Sequence, residues 1–201
     1  MVLLLVAMPA SAAARTVLVL GDSLSAAFGI DVHAGWVALL QQRLAQQKSD
    51  YRVVNASISG DITANGLARL PPLLAKHRPA IVIVELGGND GLRGLPLAQM
   101  KHNIGGIVAK AKASGARVLL VGVRLPPNYG KSYTDKFQQV YREVAREQRV
   151  ELVPFILDGV DAERGLMQSD GIHPTAPAQT KMLENVWPKL QPLLQRPAGK
   201  L

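Results

Sequence analysis

The stretch Thr16-Val17-Leu18-Val19-Leu20-Gly21-Asp22-Ser23-Leu24 joins an apolar, partly β-branched run to a serine. A run of this length and composition is typical of a buried β-strand. Gly21 permits the tight bend with which such a strand ends. Ser23 is therefore predicted just beyond the carboxyl end of a strand, which is where open α/β sheets build their sites.

The rest of the chain alternates apolar runs of strand length with stretches of helical periodicity. We predict strands over 16–20, 52–55, 80–85, 117–123 and 151–154, and helices over 35–47, 62–76, 96–114, 132–148 and 175–194. Strands that alternate with such helices form right-handed βαβ units and a parallel sheet. The expected fold is a three-layer α/β/α sandwich with a five-stranded parallel sheet, of the flavodoxin-like kind.

Composition limits the classes of function. The chain has 201 residues, of which 48% are hydrophobic, and a net charge of +8. Lys and Arg are scattered rather than clustered, so we expect no nucleic-acid partner and at most peripheral contact with membrane lipids. The absence of cysteine excludes thiolate chemistry. Because no cluster has metal-ligand spacing and no nucleotide-binding glycine motif is present, we expect no metal and no cofactor. We also expect a monomer.

The first fourteen residues have the composition of a secretory leader. They are apolar, close on small residues and are too short to span a bilayer, which needs about 20 apolar residues. No Lys or Arg precedes Arg15, so the leader is expected to be truncated. We predict a signal-peptide remnant over 1–14, one domain over 15–201 and a periplasmic location. The alternative is an apolar start of a cytosolic protein.

A second polar segment supplies an acid and a base. Asp170-Gly171-Ile172-His173-Pro174 places a carboxylate and an imidazole three residues apart. With Ser23, these provide the nucleophile, the base and the orienting carboxylate of acyl transfer. The remaining histidines fall on predicted helix starts or polar faces: His33, His77 and His102. Taken singly, Ser23 could instead cap a helix and Asp170 could merely shape a turn.

Two further segments have the chemistry of an oxyanion hole. Gly60 follows the second predicted strand, and Gly87-Gly88-Asn89-Asp90 follows the third. The backbone N–H groups of Ser23 and Gly60 and the Asn89 carboxamide could donate three hydrogen bonds at one sheet edge. Taken alone, the Gly-Gly-Asn-Asp segment is more typical of a plain turn.

Together, these segments resemble the four sequence blocks of the SGNH (GDSL) hydrolase family. Longer stretches resemble its bacterial periplasmic thioesterase I, lysophospholipase and arylesterase subfamily, and the similarity covers 16 to about 194. The resemblance implies Ser23, Asp170 and His173 as catalytic residues and Ser23, Gly60 and Asn89 as the oxyanion hole. It implies hydrolysis of esters and thioesters through an acyl-serine. Ala26-Ala27-Phe28-Gly29 departs from the subfamily's usual glycine–aromatic pattern.

The loops over 91–96 and 124–130 start at strand ends and should overhang Ser23. Their Leu and Pro content predicts an apolar trough that suits an acyl chain. The expected substrate-binding residues are Gly91, Leu92, Leu125, Pro126 and Ile172. The subfamily resemblance implies acyl-CoA thioesters, lysophospholipids and small aryl or alkyl esters as substrates.

Two other functions remain open at this point. A carbohydrate O-deacetylase of the same family would show exposed Trp or Tyr for sugar, whereas Trp36 and Trp187 fall on predicted helices. A non-catalytic flavodoxin-like binding module would not turn over esters.

Overall fold

A five-stranded parallel sheet forms the centre of the molecule. The computed structural model describes residues 14–163 and 165–195. The strands are β1 (Arg15–Gly21), β2 (Tyr51–Asn55), β3 (Ile81–Glu85), β4 (Arg117–Val121) and β5 (Glu151–Val153). Every pairing is parallel and the strand order is β2-β1-β3-β4-β5. This is the flavodoxin-like order, which confirms the predicted fold.

Helices cover both faces of this sheet. Those found in the described residues are α1 (Trp36–Gln46), α2 (Thr63–His77), α3 (Gly88–Leu92), α4 (Leu97–Ala113), α5 (Lys131–Gln148) and α6 (Gln179–Gln195). α1 packs against α6, while α2, α4 and α5 lie side by side. Every residue of β3 is buried, although alternate side chains point to opposite faces of the sheet. Both faces are therefore covered, as the continuous apolar runs predicted.

Two of the differences between the predicted and the observed elements lie beside the site. β4 ends at Val121, two residues before the predicted end, because its partner β5 ends at the paired residue Val153. The short helix α3 occupies a segment that, taken alone, was more typical of a plain turn. Its first residue follows Gly87, whose φ of 118° is accessible chiefly to glycine.

Parallel pairing brings the carboxyl ends of all five strands to one edge of the sheet. The loops that follow β1, β2, β3 and β5 contain the segments that the sequence analysis singled out. The leader predicted over 1–14 lies outside the described residues, apart from Ala14. No helix in the part of the chain that the structure describes is long and apolar enough to cross a membrane.

Candidate active site

Ser23, His173 and Asp170 form a continuous line of hydrogen bonds at this edge. Ser23 Oγ lies 2.9 Å from His173 Nε2, and His173 Nδ1 lies 2.6 Å from Asp170 Oδ2. The serine and the histidine are 150 positions apart in the chain. The structure thus brings together all three residues that were predicted to act as nucleophile, base and acid.

The acid and the imidazole share one tight turn. Asp170 Oδ1 accepts hydrogen bonds from the backbone N–H groups of Ile172 (2.9 Å) and His173 (3.0 Å), which leaves Oδ2 for the imidazole. Gly171, at φ 67°, provides the left-handed residue of the turn. The hydrogen bond from the backbone N–H of His173 is the largest of the effects that lower the pKa of Asp170, to about 2. Because its pKa is depressed, Asp170 is a carboxylate at every pH above that value and throughout the neutral range.

Ser23 lies in a turn that Asp22 organises. Asp22 Oδ1 accepts a hydrogen bond from the Leu24 N–H (3.1 Å), and the carbonyl of Asp22 accepts one from the Ala26 N–H (2.9 Å). This single helical turn does not continue into a helix. Gly21 is required beside it, because a Cβ there would lie 2.7 Å from the Ser25 side chain. Asp22 therefore shapes the turn.

Two buried carboxyl groups lie behind the nucleophile. Asp22 is 2% exposed and Glu85, the last residue of β3, is fully buried. Glu85 Oε2 accepts a hydrogen bond from Ser25 Oγ (2.7 Å). Burial raises the pKa of Asp22 to about 7 and raises the pKa of Glu85 well above its usual range. Burial thus disfavours the charged form of Glu85. Glu85 is a component of the site that the sequence analysis did not identify.

Gly60 and Asn89 lie on adjoining loops. Gly60, at φ 80°, is the third residue of a turn closed by a hydrogen bond from the Asp61 N–H to the Ile58 carbonyl. Asn89 Nδ2 donates to the carbonyl of Asp61 (3.0 Å) and to Asp22 Oδ2 (3.2 Å). The carboxamide therefore lies between the nucleophile turn and the Gly60–Asp61 turn.

Arg69, on α2, ties these turns together from behind. Its Nε pairs with Asp61 Oδ2 (2.7 Å), and its Nη2 donates to the carbonyl of Gly21 (3.2 Å). Its Nη1 donates to the carbonyl of Ala56, which follows β2. Asp61 is 5% exposed, so this ion pair is shielded from water. No sequence signal singled out Arg69.

Phe28 covers the imidazole. The ring centroids of Phe28 and His173 lie 4.5 Å apart at an interplanar angle of 40°, and 48% of Phe28 is exposed. Phe28 belongs to the segment that departs from the subfamily's pattern. That departure was the available signal, although it did not specify a contact with His173.

An apolar cleft of about 290 Å³ adjoins Ser23 and His173. Its apolar lining comes from several loops: Leu24, Leu92, Val123, Leu125, Pro126, Pro127, Phe155, Leu157, Met167 and Ile172. Arg124 and Asp161 are the charged residues among the lining besides Asp22, and the Arg124 guanidinium lies 4.3 Å from the Phe155 ring centroid. Among the described residues, no three His, Cys, Asp or Glu side chains group as a metal site would require.

Four of the five residues expected to bind substrate line this cleft, and Gly91 does not. Gly91 is buried, and a Cβ there would lie 2.6 Å from Phe137 and 2.7 Å from Leu125. The reason is α3, whose helical turn directs Gly91 towards the core and Leu92 towards the cleft. A loop was expected over this segment, and the helical phase could not be anticipated.

Comparisons with known proteins agree with this arrangement. Residues 19–181 match the GDSL-like lipase/acylhydrolase family. The chain is 59% identical to esterase TesA of Pseudomonas aeruginosa, over 96% of both chains. It is 46% identical to the thioesterase 1/protease 1/lysophospholipase L1 of Escherichia coli, over 92% of this chain and 87% of that protein. The crystal structure of the psychrotrophic esterase EstA from Pseudoalteromonas sp., inhibited by monoethylphosphonate, superposes with a TM-score of 0.86 at 36% identity, covering 90% of this chain and 100% of that one. The chain therefore belongs to the GDSL-like lipase/acylhydrolase family and is a hydrolase of ester bonds.

Proposed function

We propose that this chain hydrolyses carboxylic esters and thioesters with Ser23 as the nucleophile, His173 as the base and Asp170 as the orienting acid. The observation that carries the proposal is the 2.9 Å distance between Ser23 Oγ and His173 Nε2, with Nδ1 held by Asp170. Both distances are within the range of hydrogen bonds that transfer protons. Because all three groups come from one chain, this line of hydrogen bonds needs no residue from a second subunit.

The reaction proceeds through an acyl-serine. Ser23 Oγ forms a bond to the carbonyl carbon while its proton passes to His173 Nε2, and Asp170 stabilises the resulting imidazolium through Nδ1–H. The imidazolium then gives that proton to the departing alkoxide or thiolate as the bond between the carbonyl carbon and the leaving atom breaks. In the second half, water loses a proton to His173 and attacks the ester, and Ser23 Oγ recovers the proton as it leaves.

We propose that the Ser23 and Gly60 N–H groups and the Asn89 carboxamide stabilise the oxyanion that forms in both steps. Asn89 Nδ2 already donates hydrogen bonds to Asp61 and Asp22. One of these two bonds must therefore weaken or break so that its N–H can donate to the oxyanion instead. The bond to Asp22 is the longer of the two at 3.2 Å, and it is the one we assign to this exchange.

Replacing Asn89 with alanine should lower kcat by roughly 10²- to 10³-fold, because an oxyanion donor acts on charge that develops in the transition state. KM should stay close to the wild-type value, because the donor contributes little to ground-state binding. Steady-state kinetics on a soluble p-nitrophenyl ester measure both constants. A rise in KM at unchanged kcat would contradict the oxyanion role and assign Asn89 to substrate binding.

We propose an acyl chain as the group that occupies the cleft. Ten of the residues that line the cleft are apolar, and neither tryptophan is among them. Trp36 is fully buried at the start of α1. The ring of Trp187, on α6, lies beneath the guanidinium of Arg43, on α1. A sugar subsite would require an exposed Trp or Tyr at the cleft, and neither residue type is among the described residues that line it. These positions favour acyl esters and thioesters over the polysaccharide substrates of a deacetylase.

A panel of p-nitrophenyl esters from acetate to dodecanoate, with matching acyl-CoA thioesters, tests this proposal. We expect kcat/KM to rise with chain length until the cleft is filled. Leu92→Ala and Pro126→Ala should shift the preferred length, at about 1–3 kcal/mol per lost apolar contact. Val32→Ala is the control, because Val32 is 56% exposed and does not line the cleft. Absence of turnover with every ester would favour the non-catalytic binding module, and equal rates for all lengths would exclude the cleft as the acyl site.

We propose export to the periplasm as the cellular location. The support is the apolar composition of residues 1–14 and their small closing residues. Cell fractionation with and without this segment is the test. The same enzyme amount in the periplasmic fraction of both strains would contradict a leader function.

A further inference from the structure

Gln168 donates both hydrogens of its side-chain amide to backbone carbonyls on two different loops. Its Nε2 donates to the carbonyl of Phe28 (2.9 Å), in the loop after β1, and to the carbonyl of Pro174 (3.0 Å), beside His173. The backbone of Gln168 is held as well. Its N–H donates to the carbonyl of His173 (2.7 Å), and its carbonyl accepts from the Gly171 N–H (3.0 Å). Gln168 is thereby anchored in the turn that carries Asp170 and His173.

These bonds complete a closed ring with the nucleophile and the base. Ser23 Oγ is bonded to His173 Nε2, and the His173 carbonyl is bonded to the Gln168 N–H. Gln168 Nε2 is bonded to the Phe28 carbonyl, and the Phe28 N–H donates to the Ser23 carbonyl (3.1 Å). Four hydrogen bonds thus connect four residues in a cycle. Two of these four bonds join the two loops. One is the bond between Ser23 and His173, which react; the other is the bond from the Gln168 side chain to Phe28, which involves no reacting group.

The neighbouring residues make room for this link. Gly29 follows Phe28 at φ 74°, and a Cβ there would lie 2.4 Å from Gln168 Oε1. The turn packs loosely against the rest of the protein at Asp170, whose side chain is 40% exposed. The Phe28 ring against His173, the Met167–Pro174 bridge and the hydrogen bond from Thr175 Oγ1 to the Gly165 carbonyl (3.0 Å) are further contacts of this segment.

We propose that Gln168 is a positioning residue, which ties the turn bearing His173 to the turn bearing Ser23 and so maintains the distance between base and nucleophile. This inference rests on the proposed roles of Ser23 and His173. Misplacement of a catalytic group by about 1 Å costs on the order of 10²-fold in rate. Loss of the link should therefore lower the rate of attack by Ser23 without emptying or reshaping the apolar cleft, to which Gln168 does not contribute.

The test compares Gln168→Ala with Asn185→Ala. Asn185 is a matched control, because its carboxamide also donates to two backbone carbonyls, those of Ile156 and Asp158, at 2.9 Å each. We expect Gln168→Ala to lower kcat, and the rate at which a fluorophosphonate labels Ser23, by roughly 10- to 100-fold, with KM near the wild-type value. Asn185→Ala should leave the labelling rate unchanged. The downfield NMR resonance of the His173 Nδ1 proton should persist in Gln168→Ala, because Asp170 lies on the same turn as His173.

Two results would overturn the proposal. One is labelling of Gln168→Ala at the wild-type rate. The other is loss of the Nδ1 resonance together with labelling, which would mean that Gln168 shapes the turn instead of linking it. The wild-type enzyme separates this question from the proposed function. If it neither turns over esters nor labels at Ser23, then the assignment of the nucleophile is wrong; if it does both, the comparison of variants judges Gln168 alone.

Discussion

Ser23→Ala is expected to lower kcat by on the order of 10⁶-fold, because it removes the atom that we propose forms the acyl-enzyme while leaving His173 and Asp170 in place. The fold should be unaffected, because the hydrogen bond that is lost, between Ser23 Oγ and His173 Nε2, lies at the border of the cleft and not in the core. Ester hydrolysis measured at high enzyme concentration gives the residual rate. Circular dichroism of both proteins controls for folding.

A phosphonate reagent locates the same nucleophile without mutation. The adduct should form on Ser23, which has a base within hydrogen-bond distance, and should be absent in Ser23→Ala. Nearby serines are differently placed: Ser25 Oγ donates to buried Glu85, and Ser57 Oγ is buried. Peptide mass spectrometry that found the adduct on Ser25, Ser57 or Ser59 would reassign the nucleophile.

Asp170→Asn is expected to lower kcat by roughly 10⁴-fold. The structure specifies the reason. Asp170 Oδ1 accepts two backbone N–H groups, so the amide oxygen of asparagine must stay at that position. Its NH₂ group then faces His173 Nδ1, which has to accept instead of donate. The imidazole is forced to carry its proton on Nε2, and it can no longer take the proton of Ser23.

Asp161→Asn is the control for this prediction. Asp161 is an exposed acid that also lines the cleft, and it forms no bond with His173. Its replacement should change kcat little. If Asp170→Asn and Asp161→Asn had equally small effects, the acid would contribute only its charge to the cleft, and the tautomer argument would fail.

The fold was predictable because its signals are local. The strands are continuous apolar runs, as in Ile81-Val82-Ile83-Val84, and the helices show the period of a buried stripe. The short helix α3 was not anticipated, because Gly88 and Gly91 have low helix propensity and tertiary packing against Phe137 and Leu125 determines its phase. Gly91 was expected to bind substrate but lies in the core, because it belongs to this unanticipated helix.

The reactive groups were predictable for a related reason. Ser23, Asn89 and the Asp170–His173 pair each follow a strand, and parallel strands collect such positions at one edge. The residues that hold them in place were not predictable. Gln168 contacts Phe28 across 140 positions and Ser25 contacts Glu85 across 60, and neither pair has a spacing or pattern that marks it. Such contacts depend on how loops pack after the sheet has formed.

The separation of 150 positions between Ser23 and His173 has a consequence for biosynthesis. During translation the nucleophile strand emerges early, whereas the turn with the acid and the base is made only after the strands of the whole sheet. Until that turn docks, Ser23 is an ordinary alcohol with no group to accept its proton. A nascent or partly folded chain is therefore expected not to hydrolyse the thioesters and lipids around the ribosome. Reactivity arises with the final tertiary contacts, so hydrolysis of an ester reports that the chain has completed folding.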